Sequence, residues 1–532
     1  MSAGIDAPAR IPDTARSHPP PAAGSAIDMA DDSAHSADHP VPDPIAATIG
    51  DGTAARNRLV IGLLLIAAFV VILNETIMSV AIPRFMLAFN APASAAQWLT
   101  TAFLLTTAVV IPVTGFILQR VNTRPVFICA MTLFSLGTLA AALAPDLAVL
   151  VIARTVQAGG SAIMIPLLMT TVMTLVPEES RGKTMGDITI VISVAPAVGP
   201  TLSGIILSYL SWRWMFLLVL PIALGALLLG ARRIHNVTTP RHVPLDALSV
   251  VLSALGFGGI VYGLSGIGGA AAPGALPPWM VLAGGAAGLL CFSLRQLSLQ
   301  RHDRALLDLR TFGSRNFAAA VLLMAIMMMA LFGTIILLPI YLQNVLGLGI
   351  LQTGLLLLPG GLLMGLLSPP VGRLYDRIGP GRLLVPGVIL VSAVLWAMTL
   401  LGRRTPVEYI LAGHVVMSVG FALLFTPLFT ASLSSVRPEL YAHGSAVLGA
   451  TQQVAGAAGV ALFVALMSAR AAQLAAHGAA ALDALAGGIR NGFLCGAILS
   501  LFAVLCACFV RRPAPAAAAA PSPAPASLPS PS

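Results

Sequence analysis

Apolar runs of roughly 18–25 residues, separated by short clusters of Gly, Pro, Arg and Asp, recur along residues 56–512. A helix of about 20 residues spans a hydrocarbon core of about 30 Å at about 1.5 Å per residue, whereas barrel strands would be half that length and alternating. The runs predict helices near 58–82, 98–118, 125–145, 147–174, 186–209, 214–231, 245–267 and 278–295. Six more are expected near 317–342, 351–371, 383–401, 408–433, 445–469 and 491–510. The expected fold class is an all-α integral membrane protein with fourteen transmembrane helices. Outside the runs the chain is different. Residues 1–55 carry eight Asp among Pro, Ala and Ser, and 513–532 are a Pro/Ala/Ser string, so both are expected to be disordered tails. No short apolar segment behind a charged start precedes the first run, so that run is expected to act as the targeting element.

Composition narrows the classes further. With 57% hydrophobic and 9% charged residues, a water-facing surface cannot be built. A net charge of +9 would suggest nucleic acid for a soluble domain. Here the basic residues sit in short loops, which is a topology signal, and no nucleic-acid partner is expected. With the N-terminus inside, the outer loops hold Arg84, Arg213, Arg403, Arg404, Arg470 and Arg490, Arg154 lies within a span, and 22 of 29 basic residues remain inside. Both termini are therefore expected to be cytoplasmic. The dense run Arg295, Arg301, Arg304, Arg310 and Arg315 reads as an anchor on anionic headgroups. Cys129, Cys291, Cys495, Cys506 and Cys508 fall within spans at no metal-binding spacing and read as apolar filler, and Trp98 and Trp279 as interfacial anchors.

The loop after the tenth span reads Gly372-Arg-Leu-Tyr-Asp376-Arg377-Ile-Gly379-Pro-Gly381-Arg382. A weaker copy, Gly115-Phe-Ile-Leu-Gln119-Arg120-Val-Asn122-Thr123-Arg124, follows the second span, 257 residues earlier. Equivalent places in the helix order imply duplicated halves.

These loops resemble the G-x-x-x-D-R-x-G-x-R element of the major facilitator superfamily. Arg154-Thr-Val-Gln157-Ala-Gly-Gly160 is similar to its R-x-x-Q-G-x-G element, and Ala195-Pro196-Ala-Val-Gly199-Pro200-Thr-Leu-Ser203-Gly204 to the G-P-x-x-G-G element of exporters. Leu73-Asn74-Glu75-Thr76-Ile77 through Pro83 resembles the first-helix element of fourteen-helix drug:proton antiporters. Trp212-Arg213-Trp214-Met215-Phe216 and Leu338-Pro339-Ile340-Tyr341-Leu342-Gln343-Asn344 are similar to further stretches of that group. The departures are Gln119 and Asn122 in the first loop, Ala158 and Ser203 for glycines, and Asn74 where the group has Asp, with an acid one residue later at Glu75. One residue turns a helical side chain by about 100°.

The resemblance implies two pseudo-symmetric six-helix bundles, 56–233 and 313–512, with two inserted helices and the basic loop in 234–312. It implies no enzyme activity, no cofactor, and export of small lipophilic compounds, cations included, across a bacterial inner membrane in exchange for protons. The partners are then the lipid bilayer, protons and the substrate, with a periplasmic adaptor left open. A dedicated exporter of a metabolite, lipid or siderophore is the alternative, and a non-transporting sensor a further one. No phosphate-cradling loop, metal constellation or nucleophile with an adjacent base points to ATP drive or catalysis. Asn74, Gln157, Tyr341, Gln343 and Gln452 are the expected cavity residues. Pro196, Gly199, Pro200, Gly204, Gly372, Asp376 and Arg377 are expected to serve the conformational change.

Glu75 is the acid placed deep in a span, and Arg154 the matching base. An intramembrane charge costs roughly 2.5–3.5 kcal/mol on insertion scales, so it faces the bundle interior and persists for pairing or function. Counting from the outer helix ends puts Glu75 about 12 Å deep and Arg154 about 10 Å, one shared layer. Burial favours a neutral carboxyl and a nearby guanidinium a charged one, so exchanging that neighbour during a cycle would load and release a proton. A static salt bridge between the two helices is the competing reading. Asp187 and Asp246 read as helix caps, His414 as an interhelical hydrogen-bonding residue, and Met324, Met327, Met328 and Met329 mainly as core filling. Gly449, Gly456 and Gly459, with Gln452 and Gln453 between them, read with the fifth span as rocking surfaces.

Overall fold

Runs this apolar satisfy their backbone groups internally, and the helices are correspondingly long. The computed structural model describes residues 44–91, 93–236, 240, 246–267 and 276–510; among them helices and turns occur and no strand. The N-terminal half contains α1 (Pro44–Ala88), α2 (Ala93–Arg120), α3 (Thr123–Ala142), α4 (Leu147–Leu175), α5 (Arg181–Tyr209) and α6 (Trp214–Arg233). Then come α7 (Ala247–Ser253), α8 (Gly259–Ile267) and α9 (Pro278–Leu299). The C-terminal half contains α10 (Arg315–Ile340), α11 (Ile350–Ile378), α12 (Gly381–Met398), α13 (Val407–Ser434), α14 (Tyr441–Ala476) and α15 (Ala481–Ala507). A π-helical turn, Ala254–Gly258, joins α7 to α8 as one span, giving the fourteen expected crossings. The described residues from 53 to 510 form one compact unit. The expectations for residues 1–43 and 511–532 fall outside the described residues, and α1 starts at Pro44, within the stretch that composition assigns to a tail.

Large apolar side chains stay exposed on the outer faces, among them Leu136, Ile152, Leu229 and Leu366, which suits a lipid solvent. In the N-terminal half α3 packs on α4 and α6, and α2 on α4; in the C-terminal half α10 packs on α14 and α15, and α12 on α13 and α15. The halves meet along α5–α11 and α2–α14; α8 leans on α2 and α14, and α9 packs on α8.

Several expectations change once partners are visible. Arg295 and Arg310 of the basic run do not lie free for headgroups. Arg295 grips Asp246 with two hydrogen bonds of 2.6 and 2.7 Å, and Arg310 pairs with Asp308 and Asp303, because nearby carboxylates offer fixed bidentate partners. Asp246 does cap α7, accepting from the Ser249 amide at 3.0 Å. Asp187 does not cap: it stands a turn and a half into α5, half-buried, facing Lys183 and Arg373. Met324, Met327 and Met328 are core filling. Of the α14 glycines, Gly449 meets Ile111 of the other half, whereas Gly456 and Gly459 pack against Phe332 and Met329 of their own half.

The Asp246 pair yields a pH prediction. Hydrogen bonds from Arg295 hold the Asp246 carboxyl well below the usual carboxylate range. A depressed folded value means that its contribution is complete above the unfolded value of about 3.9 and fades only below it. Amide protection factors in residues 246–253, corrected for the intrinsic pH dependence of exchange, should therefore stay flat between about pH 8 and pH 5 and be lower at all these values in Asp246→Asn.

Candidate functional site

Arg154 of α4 is 1% exposed and has no carboxylate partner within 4.0 Å among the described residues. Its Nη1 donates to Asn74 Oδ1 of α1 at 2.9 Å and to Gln157 Oε1. Gln157 Nε2 donates to Thr138 Oγ1 of α3 at 2.7 Å, and the guanidinium lies 4.3 Å from the centre of the Phe103 ring of α2. One guanidinium thus fastens α1, α2, α3 and α4. The static salt bridge with Glu75 is not formed; Asn74 occupies that place, because adjacent helical positions point about 100° apart. Glu75 is half-buried, within electrostatic reach of Arg154, and has no hydrogen bond or ion pair among the described residues.

Thr76, the next residue, touches α5: its hydroxyl lies 3.4 Å from the Ala195 carbonyl, and a Cβ on Gly199 would overlap it. Gly199 is therefore a close-contact glycine, whereas among the described residues nothing lies within 4 Å of where a Cβ on Gly204 would stand. Pro196 is half-buried on the same helix, and the Pro200 side chain lies outside the described residues.

The far end of α5 is held from the opposite half. Asp376 Oδ1 and Oδ2 accept from the Gly182 and Lys183 amides at 2.8 and 3.0 Å, capping the first turn of α5. Here α5 and α11 run backbone to backbone, since a Cβ on Gly372 would strike the Gly182 carbonyl, and one on Gly186 would come within 2.6 Å of the Ser368 carbonyl. Toward the other end, what stands nearest Gly354 is the Thr201 hydroxyl, 3.9 Å from where its Cβ would be. Arg377 is exposed. The first loop copy repeats the placement with weaker chemistry: Gly115 packs on Ala442 and His443 at the start of α14, and Gln119 Nε2 donates to the Glu439 carbonyl at 2.9 Å. Thr170–Ser445 and Thr189–Thr426 hydroxyl pairs, 2.9 and 3.0 Å long, add links between the halves.

Not every expected cavity residue lines open space. Gln157 is fully buried with both ends of its amide engaged, and Tyr341 is fully buried with its hydroxyl on the Gly402 carbonyl at 2.6 Å. Gln343, Gln452 and Gln453 are half-buried. His414 bonds the Leu357 carbonyl of α11 at 3.1 Å, the interhelical use expected of it. Phe103, Thr138, Gly182 and His443 were not anticipated. The repeat carries a signal for the last two: each stands five residues after a Pro-Glu pair, at Pro177 and Pro438.

Two helical halves that meet around a buried guanidinium and an intramembrane carboxyl with no partner among the described residues have the architecture of a multi-pass membrane transporter. The chain belongs to the major facilitator superfamily, whose family model matches residues 64–460. It is 39% identical over 466 residues to the lincomycin resistance protein LmrB of Listeria monocytogenes, covering 87% of this chain and 98% of that protein. It is 31% identical over 440 residues to a multidrug resistance protein B homolog of Mycobacterium tuberculosis, covering 80% of each. The human organic anion transporter MFSD10 (TETRAN) shares the fold, with a TM-score of 0.61 at 15% identity over 85% of this chain and 99% of that one.

Proposed function

We propose that the protein exports small lipophilic compounds, cations included, across a bacterial inner membrane in exchange for protons, with both termini cytoplasmic. The observation that carries this reading is Glu75, an intramembrane carboxyl without a hydrogen bond or ion pair among the described residues, beside a guanidinium whose Nη1 donates to two neutral amides instead. Such a carboxyl is free to bind a proton or a cation in turn. The names of the drug-resistance relatives support the substrate class.

Coupling then runs along one rigid element. Thr76, next to Glu75, packs on α5 at Gly199; seventeen residues away, about 25 Å along the helix, the start of α5 carries the Asp376 cap. A change at Glu75 that displaces α1 against α5 therefore reaches the contact holding the halves together.

The test is transport into everted membrane vesicles. An imposed proton gradient should drive accumulation of a lipophilic cationic dye, and a protonophore should abolish it. Accumulation indifferent to the gradient would overturn proton exchange. The same preparation tests the cap. Asp376→Asn removes one charge-assisted acceptor, worth about 1–2 kcal/mol at this half-buried site, which is roughly a five- to thirty-fold shift toward separated halves. In a cysteine-free background, a cysteine at Ser368, buried in the closed form, should then react faster with a thiol reagent. An unchanged rate would reduce Asp376 to a turn residue.

A further inference from the structure

We propose that Arg403, Arg404 and Arg490 form a phosphodiester site that holds the headgroup of an anionic membrane lipid. The proposal rests on the membrane fold and is independent of the transport reading. These arginines line a cavity of about 530 Å³ at the bundle end opposite the Asp376 loop, where the connection from α12 to α13 meets the first turns of α15.

Charge is the first argument. Basic residues are sparse in the loops at this end, yet three of the six assigned there share one cavity. The cavity holds one acid, Asp483, which touches Arg403 at 3.5 Å, while Arg404 and Arg490 have no carboxylate partner among the described residues. A cavity with that surplus is complementary to an anion. Guanidinium forks match the paired oxygens of a phosphodiester, and the Asp483 contact orients Arg403 from the α15 side.

The loop is also held in place from the core. The buried Tyr341 hydroxyl donates to the Gly402 carbonyl at 2.6 Å, and Thr405 Oγ1 accepts from the Gly402 amide at 2.8 Å. This gives Tyr341 a use other than lining a substrate cavity: it fixes the turn that presents Arg403 and Arg404. The depth favours a lipid over a free anion. Leu400, 77% exposed, lies on the cavity wall, and Trp396 and Tyr409, in the neighbouring turns of α12 and α13, expose amphipathic rings suited to the headgroup level.

The full-length protein would be reconstituted in nanodiscs of phosphatidylcholine doped with phosphatidylglycerol, and the phosphatidylglycerol retained after mild detergent release counted by native mass spectrometry. The wild type should retain it selectively. The double variant Arg404→Gln/Arg490→Gln, which leaves the Arg403–Asp483 contact intact, should lose retention several-fold, and the triple variant with Arg403→Gln at least about tenfold, since each arginine near an anionic surface contributes a few-fold. Tyr341→Phe keeps every charge and should reduce retention by an intermediate amount, because the turn is loosened. Equal retention in wild type and double variant would overturn the site. Complete displacement of the lipid by excess inorganic phosphate would refute the lipid as occupant and assign the cavity to a soluble phosphate.

Discussion

Glu75→Gln is expected to lower gradient-driven export to the level of vesicles lacking the protein, while the variant remains folded in the membrane. Gln keeps the volume and the polarity but cannot take up or release a proton. Stability should not fall, because Glu75 makes no hydrogen bond or ion pair among the described residues that the change could break. Insertion should become easier, since an acid deep in a span costs about 2.5–3.5 kcal/mol on insertion scales. Exchange of labelled for unlabelled substrate without a gradient needs no net proton movement and should survive in part. Measuring both activities in one preparation separates loss of coupling from loss of the protein. Wild-type accumulation in Glu75→Gln would remove Glu75 from the coupling step and direct attention to Asp187, which faces Lys183 and Arg373 near the contact between the halves.

Arg154→Ala should be the most destabilising single change in the N-terminal half, by about 2–4 kcal/mol, because two buried amides lose their donor and a large side chain leaves a cavity. Two effects oppose each other. Removing an intramembrane charge eases insertion, but the inserted bundle loses the group that joins Asn74, Gln157 and Phe103. The expected result is near-normal membrane abundance with a lower melting temperature in detergent. Replacing Arg154, Asn74 and Gln157 together by apolar residues of similar size should recover most of the melting temperature, because no buried polar group is then left unpaired, and should not recover transport. Recovery of transport as well would make Arg154 a purely structural fastener. No loss of melting temperature in Arg154→Ala would contradict the network itself.

Much of the fold was legible because it depends on local quantities. Run length against bilayer thickness gave the fourteen crossings, and the π-turn at Ala254–Gly258 or the early start of α1 altered their ends without altering their number. The loop repeat correctly marked equivalent places, as Gly372 and Gly115 both pack on the start of a helix in the other half. Side-chain partners were less legible. Asp187 has the spacing of a cap yet faces two cations, and Tyr341, chosen for the cavity, is closed into the core. Each of these depends on which way a helix is rotated, and composition carries no record of that.

The sequence by itself determined that this chain crosses a membrane as helices, in two related halves, with one acid and one base set deep among them, because burying either charge in lipid is too costly to occur without use. The tertiary structure alone decided that Arg154 takes Asn74 and leaves Glu75 without a bond among the described residues, that Asp376 caps α5 across the halves while Gln119 reaches only a carbonyl, and that Gly449 but not Gly456 lies at their contact. Those outcomes rest on the rotation and register of helices distant in the chain, and a step of one residue, about 100° on a helix, exchanges one partner for another.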